Sequence, residues 1–306
     1  MNAVAFLFWV AIGYATAVPS AAATQPESRP APAPGAEVEE FVYKTTEQAK
    51  LKMHVHFPPG WTSADRRPAI VFFFGGGWKS GSAGQFAPQA HYFAQRGMVA
   101  ARADYRVESR HGVAPDRCVE DAKSAVRWLR RNADRLGIDP DRIVASGGSA
   151  GGHMAACTAT TEGLEAAGED TSVSSRPNAL ILFNPPLDVV HPRIIGRLGG
   201  DEALARTISP YHNLKEGCPP TLILFGTSDP LIAQAPPYIE RARSLGHRVE
   251  LYTAEGARHG FFNRSPWLER TLRRADEFLV ELGYLKGVPT IEIPTSGKAG
   301  ATRPAR

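Results

Sequence analysis

Cysteine is scarce in this chain. Its 306 residues include only Cys118, Cys157 and Cys218, an odd set that cannot pair completely and whose spacing fits neither a disulfide framework nor a zinc site. These residues are expected to be small buried or half-buried side chains, and stability has to come from a packed core. Excess charge of one sign is scarce too. Lys and Arg total 35 against 31 Asp and Glu, a formal charge of +4, and the basic residues of "RWLRRNADR" and "ERTLRRADE" alternate with acids as on solvated helix faces. No nucleic-acid partner is expected from that pattern. "GGGWKSGS" lacks the Gly-Lys-Ser junction of a phosphate loop, because Trp78 separates Gly77 from Lys79. His54 and His56 share one face of an expected strand, yet no third ligand has fitting spacing, so they are taken as exposed strand histidines. Neither a metal nor a cofactor is expected.

No charged residue precedes Glu27. The run "AVAFLFWVAIGYATAV", followed by Pro19 and the small residues from Ser20 to Ala23, predicts a secretory signal peptide over residues 1–23, although its usual basic start is missing. The run is short for a membrane span, and no cysteine near Ala23 could carry a lipid. Export to the periplasm or outside is the expected setting, without stable membrane insertion after processing. Residues 24–38 are rich in Pro and Ala and predict an extended linker. Residues 39–286 predict one domain, and residues 287–306 a flexible tail.

Within that domain, apolar runs predict eight strands: "FVYK" (41–44), "LKMHVHF" (51–57), "AIVFFF" (69–74), "MVAARAD" (98–104), "IVAS" (143–146), "ALILFN" (179–184), "TLILFG" (221–226) and "RVELYT" (248–253). The second alternates, as a half-exposed strand near an edge should, whereas the later ones are almost continuously apolar, as strands covered on both faces require. Helical spacing recurs between them. Val119, Ala122, Val126, Leu129, Ala133 and Leu136 form one stripe ending before Gly137. Another runs from Leu268 to Leu282 after Ser265 as N-cap and Pro266 in the first turn, and stops at Gly283. Strands alternating with helices predict an α/β fold: an eight-stranded, mostly parallel sheet with helices on both faces and functional loops at the strands' carboxyl ends.

One such loop is "ASGGSAGGH", residues 145–153, which places Ser149 between glycines immediately after the fifth strand. Gly147 and Gly151 remove the side chains that would crowd a sharp strand-to-helix turn, so the hydroxyl can stand exposed at the sheet's edge. A serine attacks an ester only with a general base oriented by a carboxylate. After the seventh strand "GTSDP" supplies Asp229, and after the eighth "AEGARHGFF" supplies His259. Asp188, after the sixth strand, is the rival acid. His153, one helical turn beyond Ser149, is expected to pack the helix, and Asp104 in "DYR" to brace the fourth strand's exit.

The motifs "FGGGW", "DYR", "GGSAGG", "GTSDP" and "RHGFF" resemble those of α/β-hydrolase-fold carboxylesterases, the group of acetyl and feruloyl esterases and, more distantly, the hormone-sensitive-lipase-like esterases, and the likeness covers about residues 40–286. The order Ser, Asp, His agrees with that fold. The resemblance implies a serine carboxylic-ester hydrolase that works through an acyl-enzyme on short, acetyl-type esters or acylated carbohydrates. It also implies that the amides of Gly76, Gly77 and Ala150 form the oxyanion hole. Here Phe74 stands where those esterases carry a histidine, and it cannot make the loop-supporting hydrogen bond that a histidine could. Trp78, directly after the loop glycines, is expected to bind substrate as a wall on the acyl side. A serine peptidase or formamidase of the same fold, or a non-catalytic adhesion module, are the alternatives, and a cap could come only from residues 185–217.

Overall fold

The computed structural model describes residues 38–294. The expected signal peptide and nearly all of the linker lie outside the described residues, as does the tail beyond residue 294. Eight strands form one sheet: β1 (Val38–Thr45), β2 (Lys50–His56), β3 (Arg67–Phe73), β4 (Val99–Ala103), β5 (Ile138–Gly148), β6 (Ala179–Phe183), β7 (Thr221–Gly226) and β8 (Val249–Ala254). Their spatial order is β1-β2-β4-β3-β5-β6-β7-β8. The β1–β2 and β2–β4 pairs are antiparallel and the other pairs parallel. Each predicted strand is present, and the α/β-hydrolase architecture follows from that order.

Helices cover both faces: α1 (Ala87–Gln95), α2 (Glu108–His111), α3 (Pro115–Arg131), α4 (Ala133–Leu136), α5 (Ala150–Thr160), α6 (Pro192–Arg197), α7 (Glu202–Thr207), α8 (Ala235–Ser244) and α9 (Trp267–Glu281). Alternation along each buried strand divides the core into two layers. Val71, Phe73, Ala145 and Leu182 pack with α3, α5 and α8 on one side, while Ile70, Phe72, Val144 and Ile181 pack with α1 and α9 on the other. This is why the central strands had to be apolar throughout.

Locally the structure departs from these expectations. The stripe from Val119 to Leu136 is two helices, interrupted at Asn132, whose side-chain amide donates to the Trp128 carbonyl at 2.8 Å. Helix α9 begins at Trp267, with Pro266 outside its first turn. His56 is buried and its Nε2 accepts from Arg102 Nε at 2.9 Å, so it is a satisfied core histidine and not an exposed one. That environment lowers its pKa to about 4, chiefly through desolvation and then through the Arg102 charge. In "DYR" Asp104 ties the strand exit through its backbone, its carbonyl accepting from the Tyr43 hydroxyl at 2.6 Å and its amide donating to the Lys52 carbonyl at 2.8 Å, while the side-chain bracing comes from the next two residues. Arg106 forks onto Asp121 at 2.9 and 2.8 Å, and the Tyr105 hydroxyl donates to the Phe74 carbonyl at 2.7 Å. The first eight residues of the tail, 287–294, have neither helix nor strand but are held to α9, where Arg273 donates to the Ile291 carbonyl at 2.9 Å.

Candidate active site

The carboxyl ends of β3, β5 and β6 are aligned by register, with Phe73 opposite Gly147 and Gly148 opposite Phe183. Their exit loops therefore meet. Ser149 follows β5 with φ 53° and ψ −122°, a left-handed conformation that a β-carbon resists. Its amide donates to the Phe183 carbonyl at 2.9 Å, and its carbonyl accepts from the His153 amide at 2.9 Å. Gly151 explains how α5 can begin so close to β3: a β-carbon there would lie 2.0 Å from the Phe73 carbonyl oxygen. The glycine bracket is thus a requirement of close backbone approach.

His259 comes from the loop after β8, and its Nε2 lies 2.8 Å from Ser149 Oγ. Its Nδ1 lies 2.7 Å from Asp229 Oδ2. The acid is buried at 1% side-chain exposure, whereas the imidazole is 40% exposed. Asp229 Oδ1 also accepts from the Leu231 amide at 3.0 Å, which fixes the carboxylate. A carboxylate only accepts, so Nδ1 carries the proton and Nε2 is left to accept from the serine hydroxyl. Asp188 is elsewhere: it accepts from Ser209 Oγ at 3.2 Å and from the Val190 amide at 2.9 Å, within the segment between β6 and β7.

The loop after β3 needs support because Phe74 offers no polar side chain. Its ring stacks on Tyr105 with centroids 3.9 Å apart, while the Tyr105 hydroxyl holds its carbonyl. Arg197, at the end of α6, donates to the Gly77 carbonyl at 2.7 Å and pairs with Glu108 at 2.8 Å. Gly76 takes φ 129°, and a β-carbon there would meet the Ser80 carbonyl oxygen at 2.1 Å. The Gly75 amide is occupied, donating to Gln85 Oε1 at 2.6 Å. Among the described residues, the amides of Gly76 and Gly77 have no protein acceptor. Ala150 supplies the first amide of α5, which a helix leaves without an internal partner.

A cleft of about 360 Å³ opens here. Ser149, His259, Gly76, Gly77, Asn184 and Phe262 line it, together with Gln85 and Asn263, and no Asp, Glu, Lys or Arg is among its lining residues. Trp78 is not among the lining residues. It is 6% exposed, packs edge-on against the His153 ring at 5.0 Å and lies under the Arg197 guanidinium at 5.7 Å. Its indole therefore backs the loop, correcting the expected acyl wall. His153 is fully buried, its Nε2 lies 2.6 Å from the Ile208 carbonyl, and desolvation lowers its pKa to about 4. The segment 185–217 is tied down on this side: Leu187, Ile208 and Leu214 join the core beside α5, and Gln234 Oε1 accepts from the Leu187 amide at 2.7 Å.

Asn184, Gln85, Asn263, Tyr105 and Arg197 escaped sequence reading. Asn184 stands directly after β6 with φ 38°, so a polar residue at a strand exit was a usable signal. Tyr105 lay inside "DYR", where attention fell on Asp104, and Gln85, Asn263 and Arg197 carry no signal, being single polar residues in short helical turns or at a helix end. A larger hollow of about 800 Å³ lies at the amino ends of the strands, but its Arg130 is spent on the Pro140 and Arg176 carbonyls at 3.0 and 2.8 Å.

The BD-FAE family model matches residues 53–237. Esterase LipC of Mycobacterium tuberculosis is 32% identical over 63% of this chain, which spans 53% of that relative's length. Carboxylesterase NlhH of the same organism is 28% identical over 70% of this chain and 72% of its own. The apo form of Thermogutta terrifontis esterase 2 is 49% identical, with a TM-score of 0.79 over 82% of this chain and 97% of that one. The same esterase with butyrate bound gives a TM-score of 0.78.

Proposed function

We propose that this chain, which belongs to the BD-FAE family, is a serine carboxylesterase that cleaves short-acyl esters through Ser149, His259 and Asp229. The observation that carries this is the hydrogen-bonded run from Asp229 to His259 to Ser149, at 2.7 and 2.8 Å, beside loop amides without acceptors. Ser149 Oγ attacks the ester carbonyl carbon while His259 Nε2 takes its proton. Charge that develops on the carbonyl oxygen is received by the Gly76, Gly77 and Ala150 amides, fixed before the reaction by the braced loop and by the start of α5. Asp229 stabilises the imidazolium. The proton on Nε2 then passes to the leaving alcohol and an acyl-serine remains; water attacks the acyl carbon as the same histidine takes its proton, and that proton returns to Ser149 Oγ as the acyl–oxygen bond breaks and the acid leaves.

The short-acyl reading is supported by the small cleft and by the butyrate found in the Thermogutta esterase. A lining without carboxylate or cation suits an uncharged alcohol, such as an acylated carbohydrate encountered after export. Initial rates on p-nitrophenyl esters from acetate to dodecanoate test the activity and its length preference together. Ser149→Ala, His259→Ala and their double variant should lose activity to a similar extent, because members of one unit do not add. Asp229→Asn should lose most turnover and Asp188→Asn little. Hydrolysis surviving in Ser149→Ala, or dodecanoate cleaved as well as acetate, overturns the corresponding half of the proposal.

A further inference from the structure

Two side-chain amides span the cleft between the loop after β3 and the histidine loop. Gln85 Oε1 accepts from the Gly75 amide at 2.6 Å, and Gln85 Nε2 donates to Asn263 Oδ1 at 3.1 Å. Asn263 Nδ2 then donates to the Gly260 carbonyl at 2.9 Å, one residue beyond His259. Backbone groups fix the direction at both ends. An N–H at Gly75 demands the oxygen of Gln85, and a C=O at Gly260 demands the nitrogen of Asn263. Either amide, if flipped, would oppose donor to donor or acceptor to acceptor at both of its contacts. From the other side Asn184 Oδ1 accepts from the Gly260 amide at 3.1 Å, leaving its Nδ2 facing His259 Nε2 at 3.5 Å. The Gly260 residue is therefore held by both its N–H and its C=O, while the imidazole itself is too exposed for packing to fix it.

We propose that Gln85 and Asn263 are positioning residues, whose paired amides set the distance between the oxyanion-binding amides and the His259–Ser149 pair. The need is physical. The transition state spans both loops, so charge on the substrate oxygen and the proton on the imidazole must be met at once, and displacement of about 1 Å can cost on the order of 100-fold in rate. Gly75 has already given its amide to Gln85, and this contact fixes the peptide immediately before the Gly76 and Gly77 donors. The inference rests on the assignment of Ser149, His259 and these amides made above.

Kinetics on p-nitrophenyl butyrate, with melting temperatures alongside, test it in the full chain. Gln85→Ala and Asn263→Ala should each lower kcat by about 10- to 100-fold, with KM within about threefold, since neither residue is asked to bind the ester. Because the links are in series, the double variant should be no slower than the worse single one. Gln85→Glu keeps the size and the acceptor for Gly75 but cannot donate to Asn263, so it should resemble Gln85→Ala in kcat while melting like the parent. Parental kcat in Gln85→Glu, or losses that multiply in the double variant, overturn the positioning role. A rise in KM with kcat unchanged does so as well, by showing direct substrate contact. Ser149→Ala separates the two levels: activity there refutes the site assignment, whereas an inactive Ser149→Ala beside unaffected relay variants refutes only this inference.

Discussion

Mild acid should loosen this protein through one histidine that takes no part in the proposed chemistry. His153 is fully buried on α5, joins the backs of the serine turn and the Trp78 loop, and uses its Nε2 to hold Ile208 in the segment before β7. Its Nδ1 is buried with no hydrogen-bond partner. Protonation there would create an N–H donor with nothing to receive it, in a site that already penalises charge by desolvation. The pKa falls from 6.5 to about 4 on folding. Above 6.5 both folded and unfolded chains carry a neutral imidazole, and the full stability is present. As the pH falls below 6.5 the unfolded chain takes a proton that the folded one refuses, so stability is lost until about pH 4, where the folded state titrates too. At about 1.4 kcal/mol per pH unit, moving from about pH 7 to about pH 4.5 costs roughly 2 kcal/mol, an appreciable part of a typical 5–15 kcal/mol total. With a urea slope of about 2 kcal/mol per molar, the midpoint should fall by about 1 M from this residue alone. Carboxylates and His56 add to the acid loss, so the informative quantity is the difference between parent and His153→Gln. That variant can still donate to Ile208 and does not titrate. Its midpoint should drop by about 1 M less over the same pH interval. Equal drops in the two proteins would show that His153 takes up its proton in the fold as readily as outside it.

Gly151→Ala should fail to accumulate as folded enzyme, since the new β-carbon would sit 2.0 Å from the Phe73 oxygen and 2.5 Å from the Phe74 oxygen, both backbone atoms that cannot swing aside. A soluble variant melting like the parent would mean that α5 does not need this approach. Arg197→Met removes the Gly77 contact and the Glu108 pair together, and a lost charge-assisted bond of about 1.5–3 kcal/mol should appear mainly as a kcat decrease of about tenfold or more. An unchanged kcat in steady-state assays would separate the α6 segment from the loop's orientation.

The strand count was readable because burial on both faces imposes continuous apolar runs, and once the strands are counted, Ser149, Asp229 and His259 fall at the exits of the fifth, seventh and eighth strands, in a fixed order. Gly147 and Gly151 announced their purpose in the same local way, because a sharp turn and a close helix leave no room for a β-carbon. His56 and the stripe broken at Asn132 were misread for a common reason: the amino-acid spacing gives a face or a period, but not whether Arg102 comes to meet that face or where the backbone slackens. Trp78 was placed in the cleft by its nearness in sequence to the loop glycines, and the fold instead packs its indole against His153. Gln85 and Asn263 show the limit most plainly. They are 178 residues apart, and each is an ordinary polar residue in its own surroundings. Local pattern records the demands of the backbone and of burial, whereas a hydrogen bond between distant side chains exists only when the packed layers bring two loops within about 3 Å of each other.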